Sequence, residues 1–345
     1  MYYEPPYGTP QPISRLPNRR AFGQMNFRWI SFCFFGICSL LIIAAIITFT
    51  VIYFVRNQDR FSSILSYPDF VCSQRPCGCP LSYGRQPILQ RIVGGKEAAP
   101  YFYPWLVGLT NRDRVEPFCS GFIISPNTIL TAAHCVFGRY PIDIQILSKL
   151  HDIRQFYGDR HDIETWFIYP EYRSNDSRHL NDIAIIRVRT PFAPDLQPCC
   201  LPTSQSSLYP QAAITAVVGG WGKVASQGNN RNSAVLQHLV LPIVDSRNSK
   251  CRQTIIDSDR QLCAGYDRLP VDTCSGDSGA PLLVVERMGR DQGYFVAAGI
   301  VSYGNRQCDA SLSSGVYTRV SFYLPWIQAV LSASSKSATR KDKIS

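Results

Sequence analysis

Asp272-Thr273-Cys274-Ser275-Gly276-Asp277-Ser278-Gly279-Ala280-Pro281 is the stretch of this 345-residue chain that says most about its architecture and chemistry. Gly276 and Gly279 bracket Ser278 and permit a tight backbone that aims two N–H groups, those of Gly276 and Ser278, at one point. Such a pair of donors stabilises an oxyanion, and the serine hydroxyl beside them is a candidate nucleophile. The strand-to-helix nucleophile elbow needs Gly two places after the serine, and Ala280 stands there. The alternative is a glycine-rich turn without chemistry.

A serine nucleophile needs a base, and the base needs an orienting group. The chain has only five His. His134 lies in Thr131-Ala132-Ala133-His134-Cys135, after the apolar run Phe122-Ile123-Ile124 through Ile129-Leu130. Its small neighbours leave an imidazole room to rotate and to be approached; the other reading is a structural His beside a Cys. Asp182 heads the apolar run Asn181-Asp182-Ile183-Ala184-Ile185-Ile186. A carboxylate there is buried and must be hydrogen-bonded or paired, and a His Nδ1–H suits it. Asp152 and Asp162, also in His-Asp-Ile strings, lie in polar stretches and read as surface loops.

From residue 92 onward, short β-branched and aromatic runs alternate with Gly, Pro, Asn and Ser clusters. Gly121–Leu130, Ile183–Val188, Ala213–Val218, Pro281–Val285 and Tyr294–Val301 are the clearest. The pattern predicts an all-β barrel or sandwich. Tyr323–Leu331 spaces its apolar residues as a helix does.

The N-terminal part has another texture. Residues 1–29 are rich in Pro, Tyr and Arg and read as a disordered cytoplasmic tail. Ile30 to Val55 holds no charged residue, which predicts a transmembrane signal anchor, since a bilayer core needs about 20 apolar residues in a helix. Arg15, Arg19, Arg20 and Arg28 precede it and favour a cytoplasmic N-terminus. The alternative, a cleavable signal peptide, would have an unusually long leader and apolar run. Residues 56–91 form a Pro-containing stem or propeptide, residues 92–331 a folded domain, and residues 332–345 a frayed tail. The localisation expected is the plasma membrane, single-pass type II, with the large domain outside the cell.

The formal charge is +10, of which residues 1–91 carry +6 (nine Arg against Glu4, Asp59 and Asp69). The domain is nearly balanced, so nucleic acid is not an expected partner. Of 13 Cys, eleven follow residue 70, which points to an oxidising compartment. Cys77-Gly78-Cys79 has the wrong spacing for a zinc knuckle, and no metal or cofactor is expected. Asn175-Asp176-Ser177 is a glycosylation sequon in a polar loop.

Taken in order, His134, Asp182 and Ser278 follow one of the known chain orders of the catalytic triad. With Arg91-Ile92-Val93-Gly94-Gly95, Trp105, Gly220-Trp221-Gly222, Ser302-Tyr303-Gly304 and Gly315-Val316-Tyr317-Thr318, residues 92 to about 331 resemble a trypsin-like serine protease. With the span and stem, the whole resembles a type II transmembrane serine protease. The resemblance implies two six-stranded antiparallel β-barrels, about Ile92–Leu201 and Pro202–Val320, then a C-terminal helix. It implies catalysis by His134, Asp182 and Ser278, with the Gly276 and Ser278 amides as the oxyanion hole. It makes Asp272 the base of a pocket for Arg or Lys, with Gly304 and Gly315 leaving that pocket open and Ser302 beside it supporting Asp182. Cleavage after Arg91 would free Ile92 to pair with Asp277. The partners implied are peptide or protein substrates carrying Arg or Lys, and protease inhibitors.

The resemblance also implies the bridges Cys119–Cys135, Cys251–Cys263 and Cys274–Cys308. Cys200 would join the propeptide through Cys77 or Cys79, and Cys72 is a candidate partner for the extra Cys199. A further family bridge is missing, its two positions falling near the apolar Ala216 and Val284. Two departures bear on the cleft: Ala280 replaces a usual Gly, and Tyr303 stands where Trp is common.

Overall fold

The turn-punctuated apolar runs form fourteen strands among the residues that the computed structural model describes: 38, 40–50, 52, 71–72, 76–80, 96–176, 178–203, 209–222, 232–266, 276–288, 292–304 and 314–341. The chain divides into two units, Met1–Phe61 and Ser62–Ser345. In the first, residues 40–50 form a helix, α1, whose side chains Leu40, Leu41, Ile42, Ile43, Ile46, Ile47 and Phe49 are all exposed. Among the described residues no helix is long and apolar enough to cross a membrane. Half of the span expected over 30–55 lies outside them.

In the second unit β3 (Leu106–Asn111), β4 (Cys119–Ser125), β5 (Thr128–Thr131), β6 (Ile144–Ser148), β7 (Asp159–Ile168) and β8 (Ala184–Val188) close into a barrel, in the order β3-β4-β5-β8-β7-β6. Every pair in it is antiparallel. The run Gly121–Leu130 is split into β4 and β5 by a turn at Pro126 and Asn127, residues that suit turns and disfavour strands. Asp162 corrects the loop expectation: it lies on β7, where buried His161 and Ile163 alternate with exposed neighbours. A strand whose outer face is fully polar looks like a loop in sequence.

The second barrel is β9 (Thr215–Gly220), β10 (Gln237–Val244), β11 (Gln261–Ala264), β12 (Pro281–Arg287), β13 (Gln292–Tyr303) and β14 (Gly315–Arg319). They run β13-β12-β9-β10-β11-β14, and β14 pairs back onto β13 to complete a six-membered antiparallel ring. Two short strands are added to it. β1 (Val71–Cys72) lies parallel to β13, and β2 (Lys96–Glu97) pairs with β10. The latter corrects the expectation that barrel one begins at Ile92. Ala98 is buried and its N–H bonds to Leu236 O at 2.9 Å, so this segment is held by main-chain groups that leave no sequence pattern.

One apolar core runs through both barrels. Trp105, just before β3, packs against Phe295 of β13 with ring centroids 5.8 Å apart and the rings tilted by 57°. Ala216 and Val284, where a bridge is missing, are buried partners in the β9–β12 register. Packing occupies the space a disulfide would fill. Helix α2 (Ser249–Thr254) is capped by Asn248, whose side chain accepts from Lys250 N at 3.0 Å. Helix α3 (Val320–Lys341) buries Val320, Tyr323, Leu324 and Ile327. It passes the expected end at Leu331 into the stretch read as a frayed tail, where helix-favouring Ala and Lys continue the run.

There are four disulfides among the described residues: Cys72–Cys79, Cys77–Cys200, Cys119–Cys135 and Cys251–Cys263. Cys77, of the two candidates, is the partner of Cys200. The reason is local. Gly78 takes φ +77°, its N–H donates to Pro198 O at 2.8 Å, and its carbonyl accepts from Phe295 N at 2.9 Å. A side chain there would strike Phe295 O, so only glycine turns the segment this way. The turn leaves Cys79 to Cys72, which is thereby unavailable to Cys199. Cys199 is free and buried, and burial pushes its thiol pKa well up. Cys274 and Cys308 lie outside the described residues.

Candidate active site

Asp182 sits just before β8 and is fully buried. Its carboxylate has three donors: His134 N reaches Oδ1 at 2.9 Å, His134 Nδ1 reaches Oδ2 at 2.7 Å, and Ser302 Oγ reaches Oδ2 at 2.6 Å. These offset the desolvation of the charge. Burial favours the neutral acid, but the adjacent imidazole and the hydrogen bonds outweigh it and hold the pKa below the usual carboxylate range. For His134 burial pulls the pKa down, and the charge and hydrogen bond of Asp182 more than reverse it, leaving it raised.

The second barrel fixes this acid of the first. Ser302 comes from β13, and Thr318 of β14 donates to Asp182 O at 2.9 Å. The preceding Asn181 takes φ +62°, which Asn tolerates better than most residues. Its Oδ1 accepts from Tyr323 OH of α3 and from Arg260 Nη1, both at 2.9 Å. Two strands of barrel two, the turn before β11 and helix α3 thus hold the loop that carries Asp182.

His134 sits on a 3-10 turn, Ala133–Cys135, that Cys135 ties to β4 through Cys119. Its side chain is 24% exposed, with Nε2 3.7 Å from Cys135 Sγ. The main chain of Ser278 is held against β4 and against Cys135, the neighbour of His134. Ser120 N of β4 donates to Ser278 O at 2.7 Å, Ser120 Oγ donates to Gly276 O at 3.2 Å, and Cys135 Sγ lies 3.7 Å from Ser278 O. Gly276 has φ +107° and Gly279 φ +87°, and a methyl on Gly279 would run into Ser120 O and Thr131 Oγ1. No acceptor among the described residues binds the N–H of Gly276 or Ser278. Ala280 is buried, its methyl accepted in the core.

Asp277 gives the Gly220-Trp221-Gly222 string a physical reason. Gly222 N donates to Asp277 Oδ1 at 2.8 Å, and a Cβ on Gly220 or Gly222 would collide with that carboxylate. Ser302 lies one residue before the end of β13, Gly304 follows it, and Gly315 opens β14. Asp272, Arg91 and Ile92 lie outside the described residues. Asn175 is exposed in a turn.

One neighbour was not singled out from sequence. His179, three residues before Asp182, places its ring 5.4 Å from that of His134. A second histidine in the loop leading to the buried acid was the only available signal. Thr318 and Ser120 were likewise missed, because each acts through a main-chain carbonyl.

A buried acid orienting an imidazole, with a serine whose main chain is held against the neighbouring cysteine, between two antiparallel barrels, places the molecule among the serine endopeptidases. Residues 92–327 match the family described as Trypsin. The chain is also 32% identical over 262 residues to the clotting factor G beta subunit of Tachypleus tridentatus, an alignment covering 72% of this chain and 82% of that protein. The chain belongs to the trypsin family and is a trypsin-like serine endopeptidase.

Proposed function

We propose that this protease is a membrane-anchored zymogen, activated by cleavage after Arg91, that hydrolyses peptide bonds after Arg and Lys. In this reading Ser278 Oγ attacks the scissile carbonyl while His134 Nε2 takes its proton. Asp182 keeps the His134 tautomer and stabilises the imidazolium. The N–H groups of Gly276 and Ser278 receive the oxyanion, His134 returns its proton to the leaving amine, and water releases the acyl-enzyme. The observation that carries it is the Nδ1–Oδ2 contact of 2.7 Å to a carboxylate at full burial, which commits Nδ1 to the acid and leaves Nε2 as the ring nitrogen able to act as base.

The finer parts rest on other features. A carboxylate at Asp272, six residues before Ser278, would pair with a guanidinium or ammonium in a desolvated pocket. Asp277, turned against Gly222, would receive the α-ammonium of Ile92, since a buried ammonium requires such a partner. The Cys77–Cys200 bond would keep the cleaved chain joined to its stem. The helix at residues 40–50, apolar and exposed on all sides, suits a bilayer, and the membrane is proposed as plasma membrane with the protease outside. Asn175, exposed, is proposed to carry a glycan.

The test is activity of the full-length protein, before and after cleavage at Arg91, on matched peptides ending in Arg, Lys, Phe and Glu. Activity that appears only after cleavage, favours Arg and Lys, and is lost in Ser278→Ala supports the whole reading. An inert protein with a free Ile92 terminus would overturn it. Activity favouring Phe would keep the triad and remove the role of Asp272.

A further inference from the structure

Asp182 is delivered by a long loop, residues 169–183, between the end of β7 and the start of β8. It sits at the apex of a three-residue turn, because Ile183 N donates to Asn181 O across it at 2.8 Å. Asn181, just before it, is left-handed. Both residues precede β8, so strand pairing does not hold them, and the place of the carboxylate depends on what fixes Asn181. Arg260 does so from barrel two. Its Nη1 donates to Asn181 Oδ1 and to Glu171 Oε2, each at 2.9 Å, one hydrogen for each acceptor. Asn181 Nδ2 donates in turn to Glu171 O at 3.2 Å. Glu171 stands near the start of the loop and Asn181 near its end, so one guanidinium closes the neck of the loop.

That guanidinium is itself fixed. Its side chain is only 25% exposed, Nε lies 3.3 Å from Asp257 Oδ2, and the Phe322 ring of α3 lies beneath it at 4.9 Å. The turn that carries it is pinned to β14. Arg319 N donates to Arg260 O at 2.8 Å, and the Arg319 guanidinium donates to Ser258 O at 3.2 Å and to Gln261 O at 3.4 Å. Arg260 therefore joins a rigid part of barrel two to both ends of the acid-bearing loop of barrel one. A lysine could not replace it, since a point charge lacks the planar fork that serves Asp257, Glu171 and Asn181 together.

We propose that Arg260 is a positioning residue of this protease: by joining Glu171 and Asn181 across the neck of the loop, its guanidinium sets where the Asp182 carboxylate meets His134, and with that the rate of the chemical step. It rests on the triad reading above, because Arg260 acts through Asn181 and Asp182. The 2.7 Å contact between Asp182 and His134 tolerates little movement, and a misplacement of ~1 Å can cost ~10²-fold in rate. Without Arg260 the loop slackens, the contact weakens, and the pull of Asp182 that makes His134 more basic declines. The acid limb of kcat/KM then moves to lower pH. The direction separates geometry from field. Deleting the Arg260 charge alone would ease protonation of His134 and move the limb to higher pH. The groups that face His134 (Asp182 and His179) and those that face Arg260 (Glu171, Asp257 and Tyr323) are all unchanged in an Arg260 variant.

The experiment uses full-length protein cleaved after Arg91, in two arms. In the first, peptide hydrolysis is followed across pH. Arg260→Met, which keeps the packing on Phe322 and removes the donors, should lower kcat on the order of 10-fold with KM within about two-fold, and should move the acid limb to lower pH. Arg260→Lys should recover only part of the loss. Glu171→Gln should act in the same direction but less, and Asp257→Asn, which alters the partner outside the loop, should stay close to wild type. In the second arm, Ser278→Ala protein, which turns nothing over, is titrated by proton NMR at the His134 Nδ1–H resonance. Adding Arg260→Met should lower the pH at which it titrates. A wild-type kcat and limb in Arg260→Met overturn the proposal, as does a limb moved to higher pH or an equal loss in Asp257→Asn. If Arg260→Met does not fold, Glu171→Gln carries the test, since that carboxylate is 60% exposed, and a wild-type profile there overturns the proposal. A protein that cleaves no peptide, yet whose Nδ1–H titration shifts in Arg260→Met, would uphold the positioning role and reject the triad reading.

Discussion

Asp182 and its three donors make the sharpest claims at the scale of single residues. Asp182→Asn removes the charge that raises the His134 pKa, leaving burial to lower it. The general base must be neutral, so activity rises as pH climbs through the apparent pKa of the pair. In the Asn variant this acid limb should move to lower pH, while kcat falls about 10⁴-fold through loss of the correct tautomer. A pH profile of kcat/KM checks both. Ser302→Ala acts in the opposite direction. It deletes the 2.6 Å donor to Oδ2, makes Asp182 more basic, and should shift the limb to higher pH with a much smaller loss of kcat. It should also lower stability by about 1.5–3 kcal/mol near neutral pH, the value of a hydrogen bond to a charged group. The Asp182 pKa is depressed in the fold, so its contribution is present above the unfolded pKa and is lost as pH falls through the folded one. The stability difference between Ser302→Ala and wild type should therefore fade in acid, which thermal melts across pH will show. These residues were legible because Asp182 and Ser278 stand in contiguous strings with a chemical signature. His179 was not, because only folding brings it to His134. Cys77 and Cys79 were indistinguishable as partners of Cys200 until the left-handed turn at Gly78 separated them.

Strand pairing supplies a different test. Ala216 of β9 and Val284 of β12 are direct register partners, and both are buried. Converting the pair to cysteines should produce a cross-strand disulfide that raises stability by roughly 2–4 kcal/mol, reversibly with reductant. Single Val284→Cys should instead destabilise by about 1 kcal/mol, through lost methyl packing. Melts of the single and double variants, with and without reductant, separate the two effects. If the double variant forms the bond with no gain, packing already supplies what the bridge would. Apolar β8, β12 and β13 were legible at this scale because they are buried strands bounded by turn residues. β2 and β7 were not. Lys96 and Glu97 are exposed, and the outer face of β7 carries Arg160, Asp162 and Glu164. In both, the information that makes a strand lies in the main-chain bonds of a neighbour rather than in the side chains.

At the scale of the whole molecule the question is what would keep the catalytic part with its stem if the chain is cut after Arg91 as proposed. Besides the Cys77–Cys200 bond, the stem contributes β1 beside β13 and the two main-chain bonds of Gly78. Each such bond is worth about 1 kcal/mol net, so the two of Gly78 with a similar contribution from the two register pairs of β1 give roughly 4 kcal/mol, a dissociation constant of ~1 mM. That is far too weak to retain a cleaved chain at the concentrations found at a cell surface, so retention depends on the covalent link. In cells expressing the full-length Cys77→Ser/Cys200→Ser variant, which avoids a stray thiol, cleavage after Arg91 should release the catalytic chain into the medium. Wild type, cleaved equally, should stay cell-associated and separate into two chains only on a reducing gel. Uncleaved protein should be retained in both, if residues 30–55 anchor it as proposed. Retention of the cleaved double variant would mean that the packed stem, with Cys79 buried and bonded to Cys72, holds more tightly than its hydrogen bonds alone allow. The release of uncleaved protein would instead remove the anchor from the account while leaving the tether intact.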